Sequence, residues 1–254
     1  MHMHIEYLNR NLSRVIHKKE TKEKNKEPEL YSTEKRDTHR NTHKKGVLLE
    51  INCDRWIKTS QKRTQIIYRS DASSILYHMA LPNNSRVIES GTGTLGLTYA
   101  LSNYFMHGVI DTVECNNERF TAAQSDIITA GMVNVRVHHS TIEEYISTVV
   151  HKKEKVSGIF LDVPEPESVL PGAASILHSG GKISCFIPCI EQVQRVIQKA
   201  ESISNLCVER VFENVEVSHK PALIQNNTET IYGTTPCSII RGHTGYILII
   251  RVIQ

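Results

Sequence analysis

From residue 70 onward, apolar runs alternate with amphipathic stretches along the chain. Short apolar runs predict β-strands at 87–88, 109–114, 133–138, 158–162 and 182–187. Apolar residues at helical spacing predict helices at 72–80, 97–104, 118–130, 168–177 and 191–202, with a short helix at 141–145. Ser70-Asp71 is an N-cap signal for the first helix, and Gly131 closes the third. Repeated β–α units of this length predict a doubly wound, mostly parallel α/β sheet of the Rossmann-like kind.

The last part of the chain breaks this alternation. Strands are predicted at 206–217 and 245–253, and the polar stretch 218–244 between them shows no helical pattern. Two consecutive strands without a crossover helix lie antiparallel to one another. They bring the predicted sheet to seven strands and finish it with an antiparallel hairpin, which favours a methyltransferase over a dinucleotide-binding dehydrogenase.

The first 68 residues differ in composition from the rest. Residues 1–45 are rich in Lys, Arg, His, Glu and Asn, which predicts a charged arm, either a solvated helix or a disordered segment. Its basic cluster at 18–26 leaves a phosphate-contacting or nuclear-import role open. Residues 46–68 start with an apolar strand and continue through a helical turn, as a remnant of a small N-terminal β module. The main domain is then expected over 69–254.

The bulk composition narrows the class of protein. Hydrophobic residues make up 39% and charged residues 22%, as in ordinary folded proteins. The net charge of +3 is compatible with nucleic acid without requiring it. The six cysteines form no C-x-x-C pair, which predicts reduced thiols and no metal site. No apolar run approaches the roughly 20 residues that span a bilayer, and the N-terminus lacks the apolar segment of a signal peptide.

A glycine-rich turn at 91–96 follows the first strand of the main domain. Its pattern of Gly91, Gly93 and Gly96 fits a dinucleotide-binding turn, a methyl-donor turn or a merely tight strand-to-helix connection. Glu89 separates these alternatives. A carboxylate at this position would repel an anionic diphosphate, whereas it would attract a sulfonium and an amino-acid ammonium. The turn therefore favours S-adenosylmethionine.

Polar residues end the next three strands, where ligands of open α/β sheets bind. Glu114 lies close to the offset of about 20 residues at which a carboxylate holds ribose hydroxyls. His139 ends the following strand, where the adenine edge of a cofactor would lie. Asp162 ends an otherwise apolar strand and is followed by Val163-Pro164. A carboxylate in such a place is costly unless it is paired or functional, so Asp162 is the strongest candidate for chemistry.

Three longer segments carry a resemblance to a known family. They are Asp162-Val163-Pro164-Glu165-Pro166, the stretch 184–194 with sequence SCFIPCIEQVQ, and Gly242-His243-Thr244-Gly245-Tyr246. With 63–68 and 89–93, these segments resemble the catalytic subunit of the eukaryotic tRNA adenine-N1 methyltransferase. The resemblance runs from about residue 46 to about residue 200 and resumes at residue 242. Where that family usually has its third glycine, this chain has Leu95, and His139 replaces the family's acid at the adenine-binding position.

The resemblance implies a class I methyltransferase that uses S-adenosylmethionine to modify N1 of adenosine 58 in the T-loop of tRNA. It also implies a nuclear heterotetramer, in which two catalytic chains pair with two paralogous, non-catalytic tRNA-binding subunits. The residues that it places around the cofactor and the target base are Gln65, Gly91, Gly93, Glu114, Arg119 and Asp162. Glu89, Thr92 and His139 complete the predicted cofactor site, and Asp162 is the predicted catalytic residue.

Three alternatives stay open on the sequence. The first is a non-catalytic RNA-binding paralogue that keeps the fold; Leu95 and His139 favour it, and the acidic set of Glu89, Glu114 and Asp162 opposes it. The second is a nicotinamide-dependent oxidoreductase, which Glu89 and the terminal hairpin oppose. The third is a methyltransferase of proteins or small molecules, which only the family resemblance opposes.

Overall fold

The computed structural model describes the backbone of residues 3–9, 12–17, 47–225, 230–238 and 242–253, and the side chains of 51–223, 232–238 and 242–253. The strands of this part are β1 (Met3–Asn9), β2 (Leu12–His17), β3 (Val47–Glu50), β4 (Arg86–Ser90), β5 (Val109–Glu114), β6 (Val135–His139), β7 (Val156–Leu161), β8 (Leu177–Ile187), β9 (Leu206–Phe212), β10 (His219–Gln225), β11 (Thr230–Pro236) and β12 (Tyr246–Val252). The helices are α1 (Cys53–Thr59), α2 (Arg69–Met79), α3 (Gly96–Tyr104), α4 (Asn117–Ala130), α5 (Ile142–His151), α6 (Pro166–Ile176) and α7 (Ile190–Glu201).

Seven strands form the central sheet, in the order β6-β5-β4-β7-β8-β12-β9. Strands β4, β5, β6, β7 and β8 pair in parallel, and β12 runs antiparallel to both of its neighbours, β8 and β9. The doubly wound, mostly parallel sheet and its antiparallel C-terminal pair are therefore confirmed. The carboxyl ends of β4, β5, β6 and β7 meet at one edge of this sheet.

Helices cover both faces of the sheet, so its strands are apolar on both sides. Successive residues of β4 show this, because Val87 packs into the cluster with α2 and α3, whereas Ile88 packs into the cluster with α5 and α6. In β7, Ile159, Phe160 and Leu161 are all fully buried. A continuous apolar run therefore marks the centre of the sheet.

Two predicted helix boundaries are wrong. Helix α5 continues to His151, well past the predicted end at residue 145, because its buried residues Ile146 and Val149 extend the apolar face. Thr141 and Glu144 form a capping box at its start. Helix α2 has Tyr68 as its N-cap, not Ser70 or Asp71, and the carboxyl of Asp71 instead accepts a hydrogen bond from Asn214 at 3.0 Å. Gly131 caps α4 with a left-handed φ of 67°, as predicted.

The polar stretch 218–244 contains structure that the sequence does not predict. Strands β10 and β11 pair as an antiparallel two-stranded sheet, with Leu223 opposite Tyr232. Both side chains are largely exposed. The pattern of polar and β-branched residues in this stretch gives no apolar face, so nothing in it distinguishes a projecting hairpin from a loop.

The N-terminal strands β1, β2 and β3 form a separate three-stranded antiparallel sheet in the order β2-β1-β3. The expectation of a helix or disordered arm therefore differs from the structure over Met3–Asn9 and Leu12–His17. The rest of that arm, residues 18–45, lies outside the described residues, and the domain boundaries stay a prediction. None of the described helices combines the length and the apolar character that crossing a membrane requires.

Candidate functional site

The glycine-rich turn between β4 and α3 is packed closely against neighbouring protein. Gly91 and Gly93 both adopt positive φ values, 98° and 51°. A Cβ atom on Gly91 would strike the backbone carbonyl of Asp162, and one on Gly93 would lie 2.6 Å from the hydroxyl of Thr64. On sequence alone, these glycines are expected where a ligand approaches the backbone closely. In the structure, both their backbone conformation and the adjacent chain already require them.

Glu89 lies at the end of β4, and its side chain is buried. Its carboxylate accepts a hydrogen bond of 2.7 Å from the hydroxyl of Thr98 in α3. Burial raises the pKa of Glu89 to about 7, and the nearby charge of Asp162 adds to this, although hydrogen bonds from Thr98 and Thr112 act in the opposite direction. A buried carboxyl with so few donors is well placed to receive a cationic group.

Glu114 ends β5 and is held by three nitrogen donors, with the thiol of Cys115 as a fourth, weaker donor at 3.9 Å. Its carboxylate accepts from Arg119 at 2.7 Å, from the backbone N–H of Asn116 at 2.9 Å and from the backbone N–H of Gly93 at 3.3 Å. Burial favours the neutral form, but these hydrogen bonds prevail and hold the pKa of Glu114 below its usual value. Arg119 therefore orients Glu114, and the bond from Gly93 ties the glycine turn to the end of β5.

Asp162 follows β7 directly, and its backbone N–H donates to the carbonyl of Ser90 at 2.9 Å. Asp162 lies at the carboxyl ends of β4, β5, β6 and β7, a region that we call the crevice. Its side chain is solvent-accessible, although the surrounding protein withdraws part of its carboxyl from water. That loss of hydration raises the pKa of Asp162 to about 6. The end of β7 is thus fixed to the end of β4, with an accessible carboxyl beside the glycine turn.

His139 ends β6 and is exposed. Its ring stacks on Phe120 of α4 with centroids 5.1 Å apart, and its Nε2 lies 3.2 Å from the carbonyl oxygen of Cys115. The structure therefore places His139 on the outer side of the crevice, where a flat ring stacked on another offers a planar surface to a ligand.

The remaining predicted residues lie in and over the glycine turn. The hydroxyl of Thr92 is buried, 2.7 Å from that of Thr112, so Thr92 supports the turn and does not face solvent. Gln65 is exposed, next to Thr64, on the segment that crosses the turn. The structure thus brings the predicted residues together at the ends of four adjacent strands.

A strap formed by α1 and the residues up to Tyr68 crosses this turn, and sequence reasoning missed it. The indole nitrogen of Trp56 donates to the carbonyl of Thr94 at 3.1 Å, and the backbone N–H of Arg63 donates to the hydroxyl of Thr94 at 3.1 Å. Arg63 also binds Asp126 of α4 at 2.7 Å. The signals in the sequence were a single tryptophan in a short helical segment before α2, and the family resemblance over 63–68 that placed Gln65 at the site.

Leu95 occupies an unusual position at the end of the turn. It caps α3 in the left-handed region, with φ 64° and ψ 25°, and its side chain is fully buried. Glycine is the ordinary residue for this conformation. The apolar packing of Leu95 therefore offsets a backbone strain that a glycine would avoid.

The crevice suits a flat, cationic ligand better than an anionic one. Glu89, Glu114 and Asp162 lie at the strand ends that form it. Loss of hydration raises the pKa of Glu89 and of Asp162, and a nearby positive charge would compensate that loss. A sulfonium with an amino-acid ammonium would supply that compensation, and S-adenosylmethionine carries both groups. Within the described part of the chain, no cluster of His, Cys, Asp and Glu could hold a metal ion.

Comparison with known proteins identifies the family. The family described as tRNA methyltransferase complex GCD14 subunit matches residues 46–213, which is more than half of the chain. The chain belongs to this family. The match begins just before the strap and extends through β9, so it covers the glycine turn and all the residues of the crevice described above.

Curated relatives carry consistent names. The chain is 31% identical over 158 residues to the tRNA (adenine(58)-N(1))-methyltransferase catalytic subunit of Dictyostelium discoideum, covering 57% of this chain and 47% of that protein. It is 30% identical over 193 residues to the subunit of the same name from Schizosaccharomyces pombe, covering 70% of this chain and 50% of that one. The chain spans about half the length of these relatives.

Solved structures agree on the fold. The tRNA (m1A58) methyltransferase TrmI of Aquifex aeolicus superposes with a TM-score of 0.66 at 22% identity, over 82% of this chain and 79% of that one. An O-methyltransferase of Thermotoga maritima gives a TM-score of 0.64 at 23% identity, over 82% and 74% of the two chains. At these identities the likeness establishes the Rossmann-like methyltransferase fold.

Proposed function

We propose that this chain is the catalytic subunit of an enzyme that transfers a methyl group from S-adenosylmethionine to N1 of adenosine 58 in the T-loop of tRNA. The family and the names of the curated relatives support this substrate. The observation that carries the catalytic role is Asp162, an accessible carboxyl fixed beside the glycine turn by the bond from its N–H to Ser90.

Residues of the crevice would hold the cofactor by charge and shape. Glu89 would balance its positive charge, Glu114, oriented by Arg119, would bind its ribose hydroxyls, and His139 would lie against its adenine. When bound, the cofactor supplies an activated methyl group. The chain's own contribution is to fix the acceptor in line with that group, which accounts for much of the catalysis when the donor is already activated.

Asp162 has a distinct task toward the acceptor. Adenine N1 is engaged in pairing within folded tRNA, so the base must be extruded into the crevice. Methylation at N1 leaves the adenine positively charged. An ionised Asp162 that accepts a hydrogen bond from the exocyclic amine would both orient the base and stabilise that developing charge. With a pKa of about 6, Asp162 is ionised at neutral pH and available for this role.

The proposed assembly is a nuclear heterotetramer of two such chains with two paralogous, non-catalytic subunits that bind tRNA. The family description names a complex, which supports a partner subunit. An extruded base also requires that the rest of the tRNA be held outside the crevice, a task for which a second subunit is suited.

The test is co-expression of the full chain with its paralogue, followed by mass spectrometry of nucleosides from treated tRNA. We expect 1-methyladenosine, located at position 58 by a block to reverse transcription. Binding of tRNA without binding of S-adenosylmethionine in calorimetry would instead identify a non-catalytic paralogue. Methylation at any other nucleoside would refute the assignment of the acceptor.

A further inference from the structure

A second concave surface lies beside helix α5, and strands β4, β5 and β6 contribute residues to it. This groove has a volume of about 540 Å³ and is polar, with Arg86, Asp111, Arg136, His138, Lys152 and Glu154 among its lining residues. None of these six residues is used in the site described above. The groove also reaches His139 and Ser140, at the crevice end of β6.

The floor of the groove is a paired network. Asp111, which is buried, accepts from Arg86 at 2.8 Å and lies 2.9 Å from Nε2 of His138. Arg86 also pairs with Glu154. Although Asp111 is buried, its contacts with His138 and Arg86 hold its pKa below the usual value. Counting His138 as neutral, the floor carries one positive and two negative charges, and their pairing gives the groove a fixed shape.

The walls, in contrast, carry two cations that form no salt bridge within the described part of the chain. Arg136 of β6 and Lys152 at the end of α5 are exposed, and neither side chain has an ion pair or hydrogen bond among the described residues, although the charge of Lys152 helps to lower the pKa of Glu154. Both line the same groove. Arg136 and Lys152 make the net charge of the groove positive, and two long cationic side chains above a paired floor are a suitable arrangement for anionic groups that arrive from solvent.

The position of the groove relates it to the crevice. In the strand order β6-β5-β4-β7, three inter-strand spacings separate β6 from β7, which Asp162 follows. At about 4.8 Å per spacing this is roughly 14 Å across the sheet. Arg136 is also in register with Ile159, three residues before Asp162, which adds about 10 Å along the strands and gives a separation of roughly 17 Å, a distance that a folded RNA spans easily. An RNA that places one base beside Asp162 must carry its neighbouring phosphates over the surface around the crevice.

We propose that this groove binds backbone phosphates of the RNA substrate, with Arg136 and Lys152 as the contacting residues. The proposal rests on the proposed function, because it takes the RNA to be the substrate of the same site. The contact is independent of base sequence: it contributes affinity and orientation, and the chemistry at Asp162 does not depend on it.

The test uses the full chain co-expressed with its paralogue and measures tRNA binding by fluorescence anisotropy over a range of salt concentrations. The double variant Arg136→Gln with Lys152→Gln removes both cations. We expect binding to weaken about tenfold and the slope of log K against log salt to fall by about 1 to 2, since each phosphate contact contributes slightly less than one. At saturating tRNA the turnover number should stay unchanged, and KM should rise.

The opposite edge of the sheet offers a matched control. Arg210 lies on the edge strand β9, and Lys199 lies in the last turn of α7, which packs against β9. The variant Arg210→Gln with Lys199→Gln removes the same two charges and should leave the salt slope at the wild-type value. Equal thermal unfolding midpoints would show that the compared variants are folded.

The two proposals fail in different ways. A wild-type complex that binds tRNA without methylating it would refute the proposed function and still allow the salt slopes to be compared. A complex that methylates tRNA, with the same salt slope in the groove variant and in the wild type, would refute the groove alone. If the control variant shows the same decrease in the slope of log K against log salt, the decrease follows from net charge alone, and that result would also overturn the proposal.

Discussion

The indole nitrogen of Trp56 donates a hydrogen bond of 3.1 Å to the carbonyl oxygen of Thr94, which joins helix α1 to the glycine turn. Trp56 is buried and stacks on Tyr99 of α3, with ring centroids 5.8 Å apart. The turn is thus bonded to the strap through Trp56, and to the end of β5 through the bond from the backbone N–H of Gly93 to Glu114. The segment before the main domain is consequently part of the site.

Replacing Trp56 with Phe should weaken this link. The aromatic stack is kept, but the carbonyl of Thr94 loses its donor, so we expect the free energy of unfolding to fall by about 1–3 kcal/mol. Calorimetry should also show weaker binding of S-adenosylmethionine. Tyr104→Phe is the matched control, because it removes a bond of 2.9 Å to the carbonyl of Leu81 at the far end of α3. Equal losses of cofactor affinity in both variants would contradict a specific role for the strap.

Replacing Asp162 with Ala should separate binding from chemistry. We expect turnover to fall by about 10²–10³-fold, because the developing charge on the base loses its stabilising partner. Affinity for S-adenosylmethionine should fall far less than turnover near neutral pH, since Glu89 remains to balance the positive charge of the cofactor. Single-turnover methylation and calorimetry measure the two quantities. Glu165→Ala, at an exposed carboxyl three residues away, should leave both unchanged. Normal turnover in the Asp162 variant would remove this residue from the mechanism.

Glu89 should make the fold less stable as the pH rises. Its pKa is about 7 in the folded chain and near 4.5 when unperturbed, so the folded state binds more protons between these values. Stability therefore falls across this window and levels off above it. Glu89→Gln removes the cost of ionisation, and urea unfolding should show it to be more stable than wild type by up to about 3 kcal/mol at about pH 8, with little difference below about pH 4.5.

The same variant should lose cofactor affinity, so a gain in stability would accompany a loss of function. Glu201→Gln, at an exposed carboxyl that ends α7, is the control and should show neither effect. A stability difference between Glu89→Gln and wild type that does not depend on pH would contradict the assignment.

Cofactor affinity should itself depend on pH. A bound cation favours the ionised forms of Glu89 and Asp162, whose pKa values are about 7 and about 6. Affinity should therefore decrease as the pH falls through these values, and binding at about pH 6.5 should release protons. Calorimetry in two buffers of different ionisation enthalpy measures that release. Binding with no proton release would indicate that the cation does not reach these carboxyls.

Leu95→Gly tests whether strain or packing dominates at the turn. Glycine relieves a left-handed conformation worth roughly 1–2 kcal/mol, but it removes a fully buried side chain worth about 2–5 kcal/mol. We expect net destabilisation in chemical unfolding. Ala80→Gly is the matched control: Ala80 is also left-handed, with φ 47°, but it is exposed, so glycine should stabilise the chain there by up to about 1 kcal/mol. Stabilisation by both changes would show that Leu95 contributes little packing.

The sequence predicts the sheet and the crevice edge well because both follow from local patterns. The apolar run of β7 and the carboxylate that follows it identify Asp162 without any knowledge of packing. Sequence does not reveal why Gly93 is glycine, because Thr64, about thirty residues earlier, fills the space only after folding. The extension of α5 is missed for a different reason: Val149 and Val150 favour strands when considered alone, and only packing makes them helical.

The projecting hairpin and the groove beside β6 illustrate the same limit. The side chains of the β10–β11 pair that the structure describes, 219–223 and 232–236, include no buried residue, so alternation of apolar and polar residues carries little signal there. The groove joins Arg86, Asp111 and His138 from three different strands, and their sequence neighbours show no charge pattern in common. Such features depend on strand order and not on any single segment.

Strand β12 lies between β8 and β9, although it is the last described strand along the chain. During synthesis on the ribosome, the edge of β8 that pairs with β12 stays unpaired until the residues of β12 have left the exit tunnel. Until then β9 cannot join the sheet, because its neighbour in the sheet is β12. A nascent chain stopped before residue 246 should therefore be a target for chaperones or proteases, and removal of β12 should be far more damaging than the loss of a terminal edge strand.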